Sequence, residues 1–68
     1  FKMIGNIIKE LRKKNNLKQK DLCKILNIKQ ETLSNYENNR RTPDIKTLIK
    51  IANYFNVSLD YLLKNYKN

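Results

Sequence analysis

The sequence predicts an all-α fold, a bundle of five short helices. Apolar residues recur at helical spacing nearly throughout, and no period-two alternation persists. With one glycine and one proline in 68 residues, asparagines stand at most of the breaks. In the first helix Ile4, Ile7, Ile8 and Leu11 form the apolar stripe, with Lys9, Arg12, Lys13 and Lys14 mostly on other faces. Asn15-Asn16 ends it, and Leu17 lies in the connection. A second helix over 19–26 buries Leu22, Cys23 and one of Ile25 or Leu26. Asn27 follows where a helix needs a left-handed residue to stop, a conformation asparagine tolerates better than any residue but glycine. A third helix over 30–38 buries Leu33 and Tyr36, and Asn38-Asn39 suits its end. Pro43 then stops any helix before it. Asp44 is an N-cap for a fourth helix whose stripe is Ile45, Leu48, Ile49, Ala52 and Phe55; Ser58 caps a fifth, with Leu59, Leu62, Leu63 and Tyr66.

This length holds one domain, placed at 4–66, with Phe1 to Met3 read as start or trimming residues. A single core of such size supplies only a few kcal/mol. The usual staples are missing. One cysteine, Cys23, forms no intrachain disulfide, and with no histidine a zinc cluster is not credible, so no metal or cofactor is expected. Cys23 is most simply a small buried apolar residue. A lone thiol fits a reducing compartment, and a cytoplasmic location is the expectation. The net charge of +9, from 15 basic and 6 acidic residues, predicts attraction to a polyanion: nucleic acid first, an anionic membrane second. No apolar run is long enough to span a bilayer.

Only Asn27, Ile28 and Lys29 separate helices two and three, and so short a turn forces the sharp crossing of a helix-turn-helix. Leu22, Ile28, Leu33 and Tyr36 must then close over helices one and four, which frees the outer face of helix three. Spacing puts Gln30, Glu31, Ser34, Asn35 and Asn38 on that face, with Thr32 at its flank. Gln and Asn can bond adenine bidentately, a Thr methyl can meet a thymine methyl, and a carboxylate can accept from cytosine. Lysines and arginines at the flanks, with backbone amides at helix starts, suit phosphates. A solvated polar face that happens to lack lysine would look the same from this feature alone.

The run LKQKDLCKILNIKQETLSNYENNRRTPDIKTLIKIANYFNVSLDYLL, preceded by IGNIIKELRKKN, resembles the Cro/repressor-type (Xre-like) helix-turn-helix family over 4–63. Its markers are Leu17 and Gln19 opening helix two, Leu22 with a small residue at 23, then Ser34, Tyr36, Glu37, Pro43 and the VSLDYLL ending. The resemblance implies a five-helix lambda-repressor-like domain with helix three in the major groove, and a homodimer facing two half-sites of a palindromic DNA operator. By position it assigns Gln30, Glu31, Thr32 and Asn35 to base edges. Gln19 falls where the family's glutamine meets a phosphate, and Lys18, Lys29, Asn38, Arg40 and Arg41 fall in or beside backbone-contacting segments. Arg12 and Glu37 match a buried or half-buried ion pair. Four positions depart from the pattern. Asn27 stands where glycine is usual and Asn39 near where it is, Lys18 replaces a capping Ser or Thr, and Glu31 puts a negative charge on the reading face. Glu31 either accepts from cytosine or orders Lys29 or another neighbour.

The implied function is a DNA-binding transcription regulator, a repressor. An antitoxin that represses its own operon, with a toxin partner, would use the same domain. A protein-interaction module on this fold would want an acidic or apolar helix-three face, which is not what stands here. A membrane-surface role for GNIIKELRKKNN competes with the core's need for Ile4, Ile7, Ile8 and Leu11. An enzyme is weakest, since histidine and a Gly-rich phosphate loop are missing and the six carboxylates are scattered. Tyr36, Tyr54 and Phe55 read as core aromatics, and Tyr61 and Tyr66 as a dimer contact.

Overall fold

The computed structural model describes residues 3–64. Five helices follow in order: α1 Ile4–Lys14, α2 Gln19–Leu26, α3 Gln30–Glu37, α4 Ile45–Phe55 and α5 Leu59–Leu63. There is no strand among the described residues, and no helix is long and apolar enough to cross a membrane. α3 ends one residue earlier than its spacing suggested, with Asn38 as its C-cap. Tyr66 lies outside the described residues.

α1 packs on α3 and α5, α2 on α3 and α4, and α4 on α5. Ile8, Leu22, Leu26, Leu33, Ile51 and Leu62 are fully buried at the centre, one or two from each helix. The α1 stripe is buried as its period requires, and so are Cys23 and Tyr36. Of the α2 pair, Leu26 goes inside and Ile25 outside.

The phase of α4 differs from the expectation. Ile51 is wholly buried, whereas Ile45 is 56% and Ile49 45% exposed. The packed stripe is Leu48, Ile51, Ala52 and Phe55, and Ile49 lies about 100° round the helix from Leu48. Since the aliphatics of α4 spread over close to half its circumference, sequence period alone does not choose between the two phases; contact with α2 and α5 does. Tyr54 is also outside the core, 47% exposed, its ring edge-on to Phe55 at 5.0 Å.

Four helix ends close in the same way. Asn16, Asn27, Asn39 and Asn56 hold φ of 59°, 57°, 61° and 56°, the left-handed region usually given to glycine. In each case the next residue's N–H returns to a carbonyl five positions back: Leu17 to Arg12, Ile28 to Cys23, Arg40 to Asn35 and Val57 to Ala52, at 2.9–3.0 Å. Leu17, Ile28 and Val57 are half-buried, and Ile28 and Val57 pack against the core, the apolar contact that accompanies this closure. Arg40 is exposed, so α3 ends without that contact. Asn56 was not foreseen as a stop, although the pair Asn-aliphatic repeats at 16–17, 27–28 and 56–57.

Candidate nucleic-acid interface

The crossing of α2 and α3 is locked from behind by a buried ion pair. Arg12 Nε donates to Glu37 Oε2 at 2.6 Å and Nη2 donates to Oε1 at 3.1 Å, a two-pronged fork linking α1 to the last turn of α3. The third guanidinium nitrogen, Nη1, donates to the Leu17 carbonyl at 2.7 Å. The pair was expected on resemblance as buried or half-buried, and it is buried. Its neighbour Cys23 has its thiol pushed above the ordinary value, first by burial and then by the Glu37 charge, with Arg12 pulling the other way. A protonated, enclosed thiol agrees with a packing role.

Glu37 Oε1 also accepts from Gln19 Nε2 at 3.1 Å, and Gln19 Oε1 accepts from Gln30 Nε2 at 3.3 Å. A continuous chain of bonds therefore runs from Arg12 in α1, through Glu37 and Gln19, to Gln30 at the start of α3. Every buried side-chain nitrogen and oxygen among the described residues has a partner. This chain holds Gln30 at the surface in one orientation, leaving its carbonyl oxygen unused.

The outer face of α3 is as spacing placed it. Gln30, Glu31 and Asn38 are exposed, and Thr32, Ser34 and Asn35 are half-buried at its edge. Asn38 Nδ2 folds back onto the Ser34 carbonyl at 2.9 Å and hydroxyl at 3.3 Å, which ties up part of its donor capacity. The Asn35 side-chain amide makes no hydrogen bond among the described residues, while its backbone carbonyl receives the N–H groups of Arg40 at 2.9 Å and Arg41 at 3.3 Å. Glu31 likewise has no ion pair with Lys29 or any other described residue. Of its two readings, ordering a neighbour loses its support, and a free acceptor remains.

Cations frame this face. Lys18 and Lys29 are exposed at the starts of α2 and α3, and Arg40 and Arg41 follow the end of α3. Lys29 offers no side-chain cap, so the first N–H groups of α3 stay available beside its ammonium. At the Lys18 end of α2, where the family's capping Ser or Thr is missing, Lys18 N–H donates to Asp21 Oδ2 at 2.9 Å. A lysine has no acceptor to return, so only this half of a capping box forms. Asp21, three residues past the cap position, was the legible signal that the sequence reading passed over.

The sequence model of the helix-turn-helix family matches residues 8–62. The HTH-type transcriptional regulator ImmR of Bacillus subtilis (strain 168) is 48% identical over 60 residues, covering 88% of this chain and 47% of that protein. The chain thus spans about half the length of the curated relatives it matches. Among solved structures, the P22 c2 repressor in complex with a synthetic operator superposes with a TM-score of 0.87 at 28% identity, over 94% of this chain and 97% of that one. SinR, the master regulator for biofilm formation, in complex with DNA, gives 0.81 at 34% identity, over 90% and 98%.

Proposed function

The chain belongs to the helix-turn-helix family, and from that premise we propose that it is a sequence-specific double-stranded DNA-binding transcription regulator, acting as a repressor in the cytoplasm. The family and fold are those of DNA-binding regulators rather than of enzymes. The observation that carries the reading is the construction of α3. Its inner face is locked through Glu37, while its outer face presents unpaired amide and carboxylate groups between two sets of exposed cations.

In this reading α3 enters the major groove. Gln30, Glu31, Thr32 and Asn35 meet base edges, and Lys18, Gln19, Lys29, Asn38, Arg40 and Arg41 meet the sugar-phosphate backbone. Gln19 retains one amide hydrogen for a phosphate after its bond to Glu37, whereas Asn38 must give up its longer bond, to the Ser34 hydroxyl, to offer one. The net charge of +9 draws the domain to DNA at long range, and the free carboxylate of Glu31 opposes that attraction locally while favouring a cytosine amino group. Two copies would bind a palindrome.

Selection of bound sites from random duplex DNA tests this. The expected result is an enriched palindrome with half-sites about one helical turn apart, roughly 34–36 Å. Recovery of unenriched sequence would remove the base-reading role.

A further inference from the structure

The end of α3 is anchored differently from the other three asparagine stops. At Asn16, Asn27 and Asn56 the following residue is aliphatic and half-buried, and these asparagine side chains form no hydrogen bond among the described residues. At Asn39 the following residue is Arg40, exposed, and the asparagine side chain itself makes the anchor. Its Oδ1 accepts the Gly5 N–H at 2.9 Å and its Nδ2 donates to Asn6 Oδ1 at 2.9 Å. Met3, at the cap position of α1, supplies no side-chain acceptor, so Asn39 caps α1 from 34 residues away. The approach is close enough to demand glycine on the other side. A Cβ at Gly5 would stand inside contact distance of the Tyr36 carbonyl oxygen and 2.5 Å from Asn39 Oδ1. Arg41 and Thr42 then lie along the same seam, bordering a cavity of about 30 Å³ with Met3, Ile4 and Gly5.

We infer that Asn39 is a positioning residue for DNA binding: its side chain moves the anchor of this loop from the residue after the stop to the stop itself, and so releases position 40 for a cation. The inference rests on the DNA-binding reading above. Asn39 does not read DNA. It fixes where Arg40 and Arg41 stand relative to Asn35, whose carbonyl already holds both of their N–H groups.

The test is Asn39→Gly, which keeps the left-handed turn at no steric cost and removes only the side chain. In the free protein, exchange of the Gly5 amide should quicken. Affinity for the selected duplex should fall about threefold to tenfold, the range of one neutral hydrogen bond. In a background lacking both arginines (Arg40→Ala with Arg41→Ala), the same change should have no further effect. Unchanged affinity, or an equal loss in both backgrounds, overturns the inference. A parent protein that protects its Gly5 amide yet binds no duplex would instead overturn the DNA-binding reading, and this inference with it.

Discussion

The α1–α3 side and the α4–α5 side of the domain are built on different principles. The first is tied by directional bonds between helices: Arg12 to Glu37, Glu37 to Gln19, Gln19 to Gln30, and Asn39 to Gly5 and Asn6. On the second side, no side chain of α4 or α5 is seen to hydrogen-bond to another helix among the described residues; Asp44 and Ser58 cap only their own helices. Leu48, Ile51, Ala52 and Leu62 hold it by burial. Apolar packing is nearly indifferent to direction, whereas a hydrogen bond weakens steeply when misaligned. The face proposed to read DNA is thus held where angular precision is available, and the scaffold where it is not needed.

The largest expected effect breaks the directional side. Arg12→Ala leaves the Glu37 carboxylate buried without its counter-ion and should cost about 3–5 kcal/mol, enough to unfold a chain of this size. Chemical denaturation reads this directly. The sharper form replaces both partners, Arg12→Met with Glu37→Leu, which should recover most of the stability. DNA affinity should not recover with it, because Gln19 loses the acceptor that orients it toward Gln30. A double variant that binds as well as the parent would show that the ion pair serves folding alone.

Next comes the packing side. Ile51→Ala should destabilise by about 2–5 kcal/mol, and Ile49→Ala, on the same helix two residues away, by roughly 0.5 kcal/mol or less. Similar losses at the two positions would mean that the phase of α4 is wrong.

This helix marks the limit of what spacing revealed. Helices one to three came through because each has a narrow apolar stripe that ends at one or two asparagines, and Asn27 and Asn39 do take the left-handed conformation. α4 has two candidate stripes, and only contact with its neighbours selects Ile51 over Ile49. The face of α3 was legible from period, since Leu33 and Tyr36 left the other side to Gln30, Glu31 and Asn35. The Arg12–Glu37 pair was legible from resemblance, not from spacing. The links Gln19–Gln30 and Asn39–Gly5 were not legible at all. They join residues 11 and 34 positions apart, and whether amides separated so far meet depends on the assembled fold.

On the reading face, Asn35→Ala should weaken binding to the selected site by about 1–3 kcal/mol and relax preference at one base position. Arg40→Ala should weaken binding to every duplex and reduce the salt slope by about one phosphate contact. Titrations on cognate and scrambled DNA at several salt concentrations separate the two. A uniform loss for Asn35→Ala, or an unaltered slope for Arg40→Ala, would exchange or cancel these roles.

The smallest effect concerns the charged cap of the packing side, Asp44. Its carboxyl is held below the ordinary 3.8 by bonds from the Thr47 hydroxyl and backbone N–H, the latter at 3.0 Å, with Lys46 adding a favourable charge. A carboxyl with a lowered folded-state value contributes stability that is complete above 3.8 and disappears as pH falls through the lower value. Asp44→Asn keeps an acceptor for the Thr47 N–H but has no proton to gain. Stability at neutral pH should change little, while the loss of stability on acidification should become shallower below pH 3.8. Ser58→Ala, which removes a neutral cap from α5, should lower stability without changing that acid slope. If Asp44→Asn and Ser58→Ala give the same pH profile, the α4 cap works through geometry alone.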